Sequence, residues 1–173
     1  MTAPPDDPTP PLADYPLASG GGALGARLRR LSERIDRDAG RLYAQADIPF
    51  EQRWYGVLNQ LVLRGPLSVG ELAQLLGITQ ASVSQTRQSL AAAGLIGWEK
   101  DAEDGRRRTL HLTPQGQALV ARLAPLWAAL ITTAAELDAE AAGVTAALDR
   151  LDQALDRRSL FDRALARLGE TSI

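Results

Sequence analysis

Between Thr79 and Ser89 the chain places Gln80, Ser82, Ser84, Gln85, Gln88 and Ser89, with Arg87 as the only charge. These are short side chains that both donate and accept hydrogen bonds, not nucleophiles or acid–base groups. A glutamine amide matches the N6/N7 edge of adenine, one donor beside one acceptor. The hydroxyls of Thr79, Ser82 and Ser84 can bond phosphate oxygens or base edges. Further along stands Arg106-Arg107-Arg108, the densest basic run in the sequence. A guanidinium suits phosphate, and it suits a narrow minor groove where the potential is most negative. Arg106 is the foremost candidate, with Asp104 placed to hold its guanidinium and Asp101 placed to order the turn before it. Arg107 and Arg108 alternate sides of a strand, so only one of them can share Arg106's side. Types and spacing together point to recognition of a polyanion, not to bond-making.

Catalysis and metal chemistry are poorly served. The 173 residues contain no cysteine and one histidine, His111. That excludes disulfides, thiolate metal sites, a cysteine nucleophile and a multi-histidine centre. His111 lies among apolar neighbours and reads as a partly packed polar residue. No spacing resembles a P-loop, a glycosidase carboxylate pair or a catalytic triad. We therefore expect no enzymatic activity, no metal and no organic cofactor.

The candidate residues need elements to position them. Ser68-Val69-Gly70-Glu71 is a capping-box sequence with Leu67 and Leu72 at the staple positions. It predicts a helix over 69–76, stopped by Gly77. Thr79 can cap the next helix, 80–93, ended by Gly94. Two helices joined by Gly77-Ile78-Thr79 make a helix-turn-helix. With Val83 and Leu90 as its buried face, Ala81, Ser82, Ser84, Gln85, Gln88 and Ser89 point outward. Residues 95–100 read as a strand, 101–105 as a turn and 106–112 as a returning strand. A helix-turn-helix followed by a β-hairpin is a winged helix.

Around it the pattern is helical. Leu24, Leu28, Leu31, Ile35, Ala39, Leu42 and Ala46 form one stripe over 23–46, opposite Arg27, Arg30, Arg34, Arg37 and Arg41. Asp47-Ile48-Pro49 breaks that helix, and residues 50–63 start another with Phe50, Trp54, Val57, Leu58 and Leu61 on one face. Thr113-Pro114 opens a helix to about Ala142, bent at Pro125. Gly143 precedes a last helix over 144–168. Trp54, Trp98 and Trp127 are expected in core or interface packing. The fold class is mainly α with a small β-hairpin wing. We divide the chain into a disordered tail at 1–22, a dimerisation helix at 23–48, a winged helix at 49–113 and C-terminal dimerisation helices at 114–173.

Charge is local. The net charge is −2 and the pI about 5.4, which taken whole counts against a nucleic-acid binder. Residues 1–22 hold three acids, no base and six prolines, a composition that cannot bury a core. No apolar run approaches the ~18–20 residues of a membrane span, and the N-terminus has neither the basic start nor the apolar core of a secretory signal. The cytoplasm is the expected location.

Three stretches resemble the MarR family of bacterial regulators. The first is residues 67–96, with Glu71-Leu72-Ala73, Gly77, Val83-Ser84, Leu90 and Gly94-Leu95-Ile96 in the family's places. The second is Asp101-Ala102-Glu103-Asp104-Gly105-Arg106, similar to its D-x-x-D-x-R wing. The third is Leu112-Thr113-Pro114-Gln115-Gly116, similar to its L-T-x-x-G. Leu42-Tyr43 to Phe50-Glu51-Gln52-Arg53-Trp54 looks like members fused to an N-acetyltransferase, a domain these 173 residues do not contain. Two departures stand out. Arg87 occupies a position that is usually aliphatic on the buried side of the recognition helix, and Gly105 replaces a common wing arginine. The resemblance implies a homodimeric regulator, most often a repressor, on a pseudo-palindromic double-stranded DNA site. It also implies a small aromatic or anionic effector and no membrane association. One rival is a helical protein–protein adaptor that has lost DNA binding; another is an enzyme remnant of the acetyltransferase-fused relatives.

Overall fold

Ser68 and Glu71 close on each other as their types require. Ser68 Oγ accepts the Glu71 backbone N–H at 3.3 Å, and Glu71 Oε2 accepts the Ser68 N–H at 2.9 Å. The helix this opens, Val69–Leu76, ends at Gly77 in the left-handed region with φ +63°. The computed structural model describes residue 14, residues 18–100 and residues 108–171. In chain order it contains α1 (Leu24–Gln45), α2 (Tyr55–Arg64), α3 (Val69–Leu76), α4 (Gln80–Ala92), β1 (Ile96–Lys100), β2 (Arg108–Leu112), α5 (Pro114–Glu140), α6 (Val144–Arg157) and α7 (Leu160–Thr171). Short 3-10 turns at Gly20–Ala23 and Gln52–Trp54 precede α1 and α2.

The fold is mainly α with one antiparallel hairpin, as expected. β1 and β2 pair Ile96 with Leu112 and Trp98 with Leu110. Leu67 adds a bridge to the free edge of β2, exchanging both backbone hydrogen bonds with Leu110. The core of this part is Val57, Leu58, Leu61, Leu72, Val83, Leu90, Leu95, Ile96 and Leu110. Residues 1–118 and 119–173 form two compact units.

The Leu112-Thr113-Pro114-Gln115-Gly116 motif has a clear mechanical role. Thr113 Oγ1 donates to the Gly94 carbonyl at 2.7 Å and accepts the Gly116 N–H at 3.0 Å. The Thr113 N–H bonds the Leu95 carbonyl at 3.1 Å. The start of α5 is thus clamped to the turn between α4 and β1. A Cβ on Gly116 would overlap the Leu95 carbonyl oxygen, so only glycine allows this approach.

Five expectations need correction. The last helix is two: Arg158 is extended at φ −160°, and α7 restarts where Ser159 Oγ accepts the Asp162 N–H at 3.1 Å. Ser159 also bonds the Asp162 carboxylate at 2.6 Å, so a second capping pair outweighs the continuous leucine spacing. Of the core and interface places expected for Trp98, the core is excluded, since it is 51% exposed. Thr86, not Arg87, is buried beside Val83 and Leu90, because its hydroxyl is satisfied by the Ser82 carbonyl at 3.2 Å. Gly20–Ala23 is a 3-10 turn rather than disordered tail, and Asp14 pairs with Arg30 at 2.6 Å. Finally, α5 is long and apolar enough, by length and composition alone, to cross a membrane. Between Gln117 and Ala135 its only charge is Arg122. Pro125 and two threonines interrupt any strict apolar run, while the alanines keep the average high. Helices that pack against other helices without a membrane meet the same criterion.

Candidate nucleic-acid interface

The site is built on α4. Thr79, extended at ψ 150°, is its cap: Thr79 Oγ1 accepts the Ser82 N–H at 3.1 Å and lies 2.9 Å from Ser82 Oγ. This pair straightens the first turn and presents Gln80 at its start. Gln80, Ala81, Ser82, Gln85 and Gln88 are exposed, while Ser84 and Arg87 are half-buried. The exposed face therefore carries amides and a hydroxyl with no charge among them. Ser89, expected on that face, is half-buried and turned toward residues 51–54. Its hydroxyl accepts hydrogen bonds from Trp54 Nε1 at 3.0 Å and Arg53 Nη2 at 3.2 Å.

The hairpin is reached from α4 through Gly94, whose φ is +71°. Arg108, at the described start of β2, stacks over Trp98 on β1, with its guanidinium carbon 3.8 Å from the ring centroid. Sequence reasoning missed this cation–π pair on the hairpin surface. Its signal is the strand pairing, which sets residues 98 and 108 diagonally on one face. Asp101, Asp104, Arg106 and Arg107 lie outside the described residues. His111 is half-buried, its ring lying against Gly97 and its Nδ1 3.9 Å from Glu99 Oε1. No group of three or more His, Cys, Asp or Glu able to hold a metal occurs among the described residues.

Residues 47–107 match the family model described as MarR family. The fold agrees with solved structures of that family. The structure of NMB1585, a MarR family regulator from Neisseria meningitidis, is 25% identical with a TM-score of 0.52, covering 86% of this chain and 92% of its own. The likeness to that family is carried by residues 47–107 and by the fold around them.

Two other solved structures share the fold. The MepR–DNA complex of S. aureus shares 23% identity and a TM-score of 0.63, over 76% of this chain and 97% of that one. Bordetella bronchiseptica BpsR, whose DNA binding is regulated by 6-hydroxynicotinic acid, shares 25% identity and a TM-score of 0.59, over 74% and 91%. No curated protein sequence matches the chain. The matched residues run from the break after α1 through α2, α3, α4 and β1 to just before β2. They include the whole exposed face of α4.

Proposed function

We propose that this chain is a sequence-specific DNA-binding transcriptional regulator, not an enzyme, acting in the cytoplasm as a homodimer on a pseudo-palindromic site. The observation that carries the reading is the capped α4 with Gln80, Ser82, Gln85 and Gln88 uncharged and exposed, together with the sequence run Arg106-Arg107-Arg108 that follows it. Amides and hydroxyls read base edges; the hairpin arginines hold the sugar-phosphate rails and the minor groove. Arg106 and Arg107 are proposed DNA contacts, with Asp101 and Asp104 as the acids that would order them; all four lie outside the described residues. The acidic pI is compatible with this, because residues 64–113 hold six basic residues against five acids.

The homodimer follows from apolar stripes that the chain leaves open. Leu24, Leu28, Leu31 and Ile35 on α1 are 36–62% exposed. Leu160, Phe161, Leu165 and Leu168 on α7 are 55–72% exposed. Stripes of this length in a stable protein mark an interface. A two-fold dimer presents two copies of α4, which is why its DNA should be palindromic. The finer reading is a repressor released by a small aromatic or anionic molecule, the class to which the BpsR effector belongs.

The test is a mobility shift on a mixed-sequence duplex across a salt series, followed by sequencing the fragments retained from its own genome. A regulator gives salt-dependent retention and a palindromic enriched motif. Absence of any retention at low salt would overturn the reading and leave the adaptor in its place.

A further inference from the structure

The recognition helix is held at its two ends by different means. At its start Thr79 caps it from within. Toward its end Ser89 reaches out of the helix to a segment 35 residues away in the chain. The Ser89 hydroxyl accepts from Trp54 Nε1 at 3.0 Å and Arg53 Nη2 at 3.2 Å. Its own hydrogen points at Glu51 Oε1, a longer contact of 3.5 Å. The other Glu51 oxygen takes Arg53 Nε at 2.6 Å, so the acid and the arginine are fixed against each other. A hydroxyl has one donor and two acceptor sites. All three are in use here, and none is left for DNA.

A helical serine or threonine commonly closes on the carbonyl one turn back. Thr86 does this in the same helix. Ser89 is engaged elsewhere, and its partners lead back to α1. Phe50 stands edge-on to both Tyr43, at 4.7 Å, and Trp54, at 5.8 Å. Tyr43, on α1 and 1% exposed, donates its hydroxyl to Gln52 Oε1 at 2.8 Å. The chain of contacts from α1 to α4 is therefore continuous: Tyr43, Phe50, Trp54, Ser89.

We propose that Ser89 is a positioning residue for DNA recognition. It locks the C-terminal half of α4 to residues 51–54, and through Phe50 and Tyr43 to α1. A shift of α1 then changes the angle at which Gln85 and Gln88 meet the bases. The proposal rests on the DNA-binding reading above. A side chain that only stabilises the fold would weaken all DNA binding alike; one that sets an angle weakens specific binding alone.

The experiment compares the full chain with Ser89→Ala, Ser89→Thr, Trp54→Phe and the Ser89→Ala/Trp54→Phe pair. The probes are the genomic fragment the wild-type protein retains most strongly and a mixed-sequence duplex of equal length. Ser89→Ala is expected to weaken the genomic fragment about tenfold, the scale of coupling between residues in one network. The mixed duplex should change less than about twofold, with the same salt slope. Ser89→Thr should restore the loss, and Trp54→Phe should add little to Ser89→Ala. Equal losses on both duplexes, no rescue by threonine, or additive losses would overturn the proposal. If the wild type binds both duplexes and Ser89→Ala changes neither, the proposal falls alone. If the wild type binds neither, the DNA reading falls and the proposal with it.

Discussion

Leu58, Leu72, Val83 and Leu90 of the winged helix are 0% exposed, whereas Ile35 on α1 and Leu160, Phe161 and Leu168 on α7 are 62–72% exposed. Both sets come from three- and four-residue apolar spacing, so periodicity alone does not separate them. The difference lies in how each helix ends. In the winged helix, caps and left-handed glycines turn the chain back on itself every eight to thirteen residues. Each apolar face meets another from the same unit. In α1 the stripe is buried only at its C-terminal end, at Ala39 and Tyr43, and on α7 Leu160, Phe161, Leu165 and Leu168 are all exposed. One region completes its own core. The other carries the apolar surface on which the homodimer proposal rests, worth about 25 cal/mol for each Å² removed from water.

The largest expected effect tests the open stripes. Phe161→Asp with Leu165→Asp places two charges on α7 where the homodimer reading requires burial. Light scattering at micromolar concentration should give a dimer for the wild type and a monomer for the pair. Losing one of two linked half-site contacts should weaken operator binding by about 10²- to 10⁴-fold. The winged helix should still fold, because neither residue belongs to its core. A wild-type monomer in light scattering would break the comparison.

Gly116→Ala probes the closed region. The new Cβ would meet the Leu95 carbonyl, a backbone atom that moves only if the turn after α4 moves. Overpacking against backbone should cost about 3 kcal/mol, read as a fall in the denaturant midpoint. A variant as stable as the wild type would mean that the clamp of α5 on Gly94 and Leu95 is looser than its hydrogen bonds imply.

Two substitutions at the proposed DNA contacts sharpen the division of labour between helix and hairpin. Gln85→Ala should cost about 1–3 kcal/mol per half-site on the best operator and little on random DNA. Arg106→Ala should weaken most sites and make the slope of log affinity against log salt shallower by about one unit per lost phosphate contact. Titrations at four salt concentrations separate the two. Identical behaviour of the variants would mean that helix and hairpin do not divide the work this way.

What is legible in the sequence is local. The capping box at Ser68, the cap at Thr79 and the glycine stops at 77 and 94 are chemistry between residues at most four apart, and they set α3 and α4. The Ser159–Asp162 cap is of the same kind, but the leucine stripe across it masks the break. Helical spacing alone points Ser89 outward; its partners Arg53 and Trp54 lie 36 and 35 residues away and leave no local trace. Thr86 does not read as core, because a hydroxyl looks polar until a backbone carbonyl takes it. Ala81, Ser82, Gln85 and Gln88 on the exposed face of α4 follow from Val83 and Leu90, whereas Ser84 and Ser89 do not. Which bases it meets depends on a second copy and a duplex, and no spacing encodes those.

The smallest expected effect concerns Trp98, where the two regions' logic meets. Its ring is half exposed beneath Arg108, with Leu110 directly opposite it on β2. An exposed cation–π contact contributes about 0.5–1 kcal/mol, and a two-stranded hairpin alone is marginal. Trp98→Ala should therefore lower global stability by no more than about 1 kcal/mol. Amide exchange should quicken at residues 98–100 and 108–110 while α3 and α4 stay protected. Arg108→Ala should give the same exchange pattern, because the contact needs both partners. If Trp98→Ala instead costs about 3–5 kcal/mol, the cost of a core tryptophan, the ring is covered in the assembled protein. Trp98 would then belong with the open stripes of α1 and α7 rather than with the hairpin surface.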